Sequence, residues 1–155
     1  MMVSTRGRYA LRAVIDLAEN SVAGGYVPLA DIASRQGISE KYLESIASAL
    51  SKAGVVVGVR GKGGGYRLAS DPARCRVIDV LRATEGSMAP VACLACEPNN
   101  CERAQDCRTL PVWEGLGRVV DEYLAGITID TLMGTGEEPD GAPGNCADAG
   151  EDVGA

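Results

Sequence analysis

Four of the six cysteines in this chain fall within fifteen residues, as Cys93-x2-Cys96-x4-Cys101-x5-Cys107. There is no histidine anywhere in the 155 residues. A soft metal bound here would therefore be held by thiolates, with a carboxylate or a water completing the set. Four thiols on one short loop are a poor packing solution and a good ligand solution. An iron–sulfur cluster needs three or four thiolates on such a loop. A structural zinc also suits Cys93 and Cys96 followed by Cys101 and Cys107, and spacing alone leaves both metals open. A third chemistry is dithiol exchange by the Cys93/Cys96 pair, which would make the chain a thiol oxidoreductase, although no βαβ pattern surrounds it. The blandest alternative is four unliganded thiols. Cys75 stands alone and reads as a small buried hydrophobe. Cys146 has no neighbouring ligand.

The second chemistry is electrostatic. The net charge of −6 is unevenly spread. Residues 1–76 carry 11 Lys/Arg against 6 Asp/Glu, residues 77–133 carry 4 against 9, and residues 134–155 carry 6 acids and no base. A basic first half on an acidic chain points to a polyanion-binding face. The chain has one Trp and no Phe, which argues against stacking platforms for single strands. The run Gly61-Lys62-Gly63-Gly64-Gly65 is no P-loop, because no Lys-Ser or Lys-Thr follows it and no helix opens there.

These side chains need elements to hold them. Apolar residues at helical spacing predict a helix over 4–20, with Arg6, Arg8, Arg12, Asp16 and Glu19 on its other faces. A short helix over 29–36 follows, ended by Gly37. A third helix runs over 40–52, N-capped by Ser39, with Tyr42, Leu43, Ile46, Ala47 and Leu50 inward. Two helices joined by a tight glycine turn are a helix-turn-helix signature. Residues 55–59 and 66–68 read as two short strands around the glycine-rich turn, a β-wing. On the third helix Ser39, Lys41, Glu44 and Ser45 project away from the apolar face and would meet double-stranded DNA in the major groove. Glu44 could accept a hydrogen bond from cytosine N4. Arg60, Lys62 and Arg67 surround the wing, and Arg60 suits a narrow minor groove. The three consecutive glycines would let the backbone approach a sugar-phosphate surface. A winged helix used only for protein contacts is the competing reading.

A helix over 77–83 leads to the cysteine loop, 89–108. Thr109 is expected to cap a long helix reaching about residue 125, with Pro111 in its first turn. Leu110, Trp113, Leu116, Val120 and Leu124 form its apolar stripe, with Val119 and Tyr123 beside it. That stripe serves core packing and a dimer seam. Residues 127–133 add a last turn. The tail from Gly134 has little to bury and is expected to be disordered. The layout is thus a winged helix-turn-helix domain (1–76), a cysteine loop with a dimerisation helix (77–133) and an acidic tail (134–155), mainly α with a small β-wing. No stretch reaches the ~18–20 apolar residues of a membrane span, and no apolar leader precedes a cleavage site. The expected location is the cytoplasm.

Several segments together resemble a known family: Ser4-Thr5-Arg6-Gly7-Arg8-Tyr9-Ala10-Leu11, Pro28-Leu29-Ala30-Asp31-Ile32-Ala33, Ile38-Ser39, Tyr42-Leu43-Glu44, Val59-Arg60-Gly61-x-Gly63-Gly64-Gly65-Tyr66, and Cys101-x5-Cys107-x-Thr109 ahead of Trp113. They are similar to the IscR-like branch of the Rrf-two family of bacterial winged-helix transcription regulators, over about residues 1–133. The resemblance implies a homodimer on a palindromic promoter site. In the iron–sulfur members three loop cysteines hold a 2Fe–2S or 4Fe–4S cluster, whose state changes DNA affinity in response to iron–sulfur status, oxidants or nitric oxide. By position Cys101 and Cys107 match the last two of these cysteines, and the first is Cys93 or Cys96. Where the family's founding branch places a histidine after its last cysteine, this chain has Leu110. Where a nitric-oxide-sensing branch places an N-terminal aspartate, it has Arg8. The spare cysteine of the Cys93/Cys96 pair is then the simplest fourth ligand.

Overall fold

The computed structural model describes residues 3–135. Cys146 and the acidic tail beyond Thr135 lie outside them. Helix α1 spans Thr5–Asn20, with Ser4 as its N-cap: the Ser4 hydroxyl accepts the Gly7 N–H at 3.2 Å. Its inner face is Ala10, Ala13, Val14 and Leu17. Helix α2 spans Leu29–Gln36 and stops where Gly37 turns left-handed at φ 64°, a conformation that glycine adopts without penalty. Helix α3 spans Glu40–Lys52, and the Ser39 hydroxyl accepts the Tyr42 N–H at 3.3 Å. Leu43, Ile46, Ala47 and Leu50 turn inward against Ile32 and Val14. The helix-turn-helix is therefore built as the periodicity predicts.

The wing is an antiparallel hairpin of β1, Val56–Val59, and β2, Gly65–Leu68, in the register Val56 to Leu68 and Val59 to Gly65. Val27, just ahead of α2, adds a further rung: it exchanges two backbone hydrogen bonds with Tyr66, at 2.8 and 2.9 Å. The glycines of the turn answer first to the protein itself. Gly61 and Gly63 sit at φ 101° and 78°, and a Cβ on Gly64 or Gly65 would run into the Val59 or Val27 carbonyl oxygen.

Helix α4, Val77–Glu85, packs along α1, and its Val80 joins the main core. The chain then leaves for the cysteine loop and helix α5, Leu110–Gly126, and returns. On its return the Val77 N–H donates to the Ile127 carbonyl and the Ile129 N–H to the Cys75 carbonyl, both at 2.9 Å. Helix α6, Ile129–Leu132, thereby delivers Ile129, fully buried, into the core of the first three helices. Burying one such side chain contributes about 1.5–3 kcal/mol.

Two expectations need correcting. Asp16, assigned to a polar face of α1, is only 3% exposed. Its carboxylate accepts from Arg35 Nη2 at 2.6 Å and from Gln36 Nε2 at 2.8 Å, both at the end of α2. Arg12 closes the cluster, donating from Nη2 to the Gln36 carbonyl at 2.9 Å. Burial alone would raise the Asp16 carboxyl, but the hydrogen bonds from Arg35 and Gln36 and the charge of Arg35 outweigh it and hold it below its ordinary value. On α5 the apolar residues divide into two stripes. Trp113, Val120 and Leu124 are half-buried against their own chain, with Gly117 between them facing Pro90. Leu116 belongs instead with Val112, Val119 and Tyr123, a stripe at successive spacings of four, three and four that is 42–61% exposed. No residue of α5 is fully buried.

Candidate nucleic-acid interface and thiol loop

Helix α3 and the wing flank an open cleft of about 860 Å³. Glu40, Glu44, Ser48 and Lys52 line its α3 side, at a helical repeat of four. Val59, Arg60 and Gly61 line its wing side. Of the residues singled out by sequence, Glu44 and Arg60 meet in this cleft. Ser39, Lys41, Ser45, Lys62 and Arg67 lie outside its lining. Lys41, Arg60 and Lys62 are exposed, and none of them is among the ion pairs of the described residues.

The remaining three are partly committed within the chain. The Ser39 hydroxyl is occupied as a cap. The Ser45 hydroxyl donates to the Tyr42 carbonyl at 2.9 Å, and the Ser45 carbonyl accepts from Arg6 Nη2 at 3.0 Å. The Arg67 guanidinium lies 5.4 Å from the centre of the Tyr26 ring, a cation–π geometry. Sequence reasoning missed Ser48 and Lys52. The available signal was their spacing of one and two helical turns after Glu44, opposite the apolar face.

The thiol loop is built differently. Two 3-10 turns, Ala92–Leu94 and Ala104–Asp106, are its regular segments. Cys93, Cys101 and Cys107 are half-buried and Cys96 is exposed, and none is in a disulfide. The Cys101 N–H donates to Asn99 Oδ1 at 2.9 Å. Thr109 does not cap α5 with its side chain as the sequence predicts. Its hydroxyl lies 3.4 Å from Cys107 Sγ instead. That hydrogen bond, helped by the backbone N–H groups of Thr109 and Leu110, lowers the Cys107 thiol below its ordinary value. Cys75 is the opposite case: burial, with Asp79 nearby, pushes its thiol up to about 11. The sequence reading of Cys75 as a buried small side chain agrees with its place in the core.

Four unpaired thiols without histidine suit a thiolate-held iron–sulfur cluster or zinc by donor chemistry. Among the described residues, however, no three cysteines or carboxylates stand together as a metal-holding group. Ligation by Cys93, Cys96, Cys101 and Cys107 would require the loop to close. Part of that loop, Leu94, Ala95 and Glu97, walls a second cleft of about 560 Å³ against the end of α4 and the face of α5 bearing Asp121 and Glu122. Among the described residues, no helix is long and apolar enough to cross a membrane.

Comparison with known proteins places this geometry. The Rrf2 family, described as an iron-dependent transcriptional regulator, matches residues 3–135. The transcriptional regulator IscR of Aliivibrio salmonicida is 41% identical over 133 residues, covering 86% of this chain and 77% of its own. Among solved structures, IscR of T. potens superposes with a TM-score of 0.67 at 38% identity, over 93% of this chain and 94% of that one. CymR, the global cysteine regulator of B. subtilis, superposes at 0.69 with 34% identity, over 88% and 99%.

Proposed function

Because the chain belongs to the Rrf2 family of transcriptional regulators, on its IscR-like side, we propose that it is a homodimer whose grip on a palindromic promoter site is set by an iron–sulfur cluster on its cysteine loop. The observation that carries the DNA half is the shared cleft. Glu44 on α3 and Arg60 on the wing face one space, so one protomer can read a major groove and reach the adjacent backbone or minor groove together. Glu44 would select cytosine by accepting from N4. Lys41, Arg60 and Lys62 supply uncommitted positive charge at the rim of that face.

The thiol half rests on donor chemistry. Cys101 and Cys107 with Cys93 and Cys96 would hold the cluster, which would supply a redox- and nitric-oxide-sensitive centre. Thr109 and the first amides of α5 already favour the thiolate form of Cys107. Closing the loop would bring its two arms to the mouth of α5, so the pose of that helix becomes sensitive to whether the thiols are engaged. The exposed stripe Val112, Leu116, Val119 and Tyr123 has the spacing of a helix–helix seam. Two copies joined there would hold two recognition helices at a set distance.

Protein purified without oxygen tests this reading. It should be brown, with iron and acid-labile sulfide bound. Cys101→Ala and Cys107→Ala should each abolish the cluster absorbance. Stoichiometric zinc without iron would turn the loop into a structural metal site. Arg60→Ala should weaken duplex binding and shallow the slope of log affinity against log salt by about one.

A further inference from the structure

The segment Ser4–Gly7 touches both the C-terminal end of α4, four residues ahead of the thiol loop, and the recognition helix. Glu85 is the last residue of α4, and Gly86 begins the connection to the loop. The Glu85 Oε1 atom accepts from the Ser4 N–H at 3.1 Å and from the Ser4 hydroxyl at 2.6 Å. The same hydroxyl accepts from the Gly7 N–H and so caps α1. Gly7 is required for this approach, because a Cβ there would overlap the Glu85 carboxylate. Two residues from Ser4, Arg6 reaches across to α3 and donates from Nη2 to the Ser45 carbonyl at 3.0 Å. One turn before Glu85, Arg82 pairs with Asp121 of α5 at 2.9 Å. The end of α4 is thus tied on one side to α5 and on the other, through the first turn of α1, to the backbone of the recognition helix.

We infer that Glu85, Ser4 and Arg6 form a brace of positioning residues through which the state of the cysteine loop is felt at α3. The inference rests on the proposed function for the identity of the switch. The brace itself is a feature of the chain without any metal. Displacing α4 at its loop end pulls the Ser4 cap, and with it the first turn of α1. Arg6 then moves relative to Ser45, and α3 tilts in the cleft that Glu44 and Arg60 share. Such a device changes the fit to DNA without changing any residue that touches it.

The test uses the full chain, metal-free and loaded with its cluster, and one duplex carrying the operator. The affinity ratio of the two states is measured for the native protein, Glu85→Ala, Glu85→Gln, Arg6→Ala and Arg6→Lys. The native ratio should fall in the range of about 5- to 150-fold usual for coupled sites. Glu85→Ala and Arg6→Ala should bring it close to one. Glu85→Gln keeps an acceptor oxygen and should preserve it. Arg6→Lys keeps the charge but not the forked reach, and should lose it with little loss of general DNA attraction. In parallel, amide hydrogen exchange is followed along α3 in the metal-free protein. Glu85→Ala should speed exchange around Ser45, and Glu85→Gln should not. A ratio that survives both alanine variants overturns the brace. A native ratio of one defeats the switch reading alone; the exchange result then decides the brace, and unchanged exchange in Glu85→Ala overturns it.

Discussion

The N-terminal winged helix and the α5 arm are made of similarly apolar sequence but are finished to different degrees. In the first, Ile32, Ile46 and Val14 are fully buried, and the charged Asp16 has three partner residues around it. In the second, no residue of α5 is fully buried, four large apolar side chains face outward and no three of the four thiols form a metal-holding group. The contrast separates what the chain completes by itself from what it leaves for something else to complete. In the winged helix the burial is intramolecular. In the arm the exposed apolar stripe and the thiols are the groups that the proposed dimer and cluster would use.

The comparison can be broken most directly by truncating one side chain in each region. Ile46→Ala opens a cavity in a closed core and should cost about 2–5 kcal/mol in a denaturant titration. Next in size is the buried carboxylate. Asp16→Ala leaves Gln36 and Arg35 donors without their acceptor and should cost about 1–3 kcal/mol. Its pH signature has a definite sign. The folded value of Asp16 lies below its unfolded value near 3.8. The stabilisation is therefore complete above about pH 4–5 and is lost as pH falls through the depressed folded value. The native protein should lose more stability than Asp16→Asn over that acid window.

Val119→Ala, on the outward stripe of α5, should move the unfolding free energy of the monomer by less than about 0.5 kcal/mol. The same substitution should weaken self-association in sedimentation; unchanged association would remove the stripe as a seam. The smallest effect in energy, though readily seen, is the order of thiol labelling. In native metal-free protein at neutral pH, iodoacetamide should modify Cys107 early and Cys75 last, by peptide mass mapping. One thiol is lowered at the entrance to a helix and the other is buried and pushed up to about 11. Early labelling of Cys75 would mean that the core of the winged helix opens far more readily than its packing implies.

The two regions were also unequally legible. Helices α2 and α3 and their stops follow from short-range rules: an apolar repeat, the Ser39 cap and a left-handed Gly37. The wing was legible for the same reason, and Val27 and Val59 give Gly64 and Gly65 a steric requirement that no short-range rule contains. Asp16 was misplaced because periodicity treats a carboxylate as solvent-facing. Its partner Arg35 is nineteen residues away, and no local pattern connects the two. Ile129 escaped notice as a core residue because only the pairing of 76 with 128 brings it back. On α5 Leu116 is misassigned to the inner stripe, where Gly117 stands instead, because adjacent apolar positions fill two faces and sequence does not say which face has a neighbour. The thiols were the plainest chemical signal in the chain. Yet among the described residues no three of them form a metal-holding group, since a loop has no repeat to fix its path.

The rung between Val27 and Tyr66 has a consequence for how one subunit can be tuned. A hairpin stitched at its base to the residue that leads into α2 cannot hinge on its own, so the root of the wing travels with the helix pair. Were the chain to grip duplex DNA as proposed, the stride between the two contacts of one copy would change only by a tilt of α3. A longer or shorter operator would then be met chiefly at the joint between the copies of the proposed dimer, far from the side chains that read the bases.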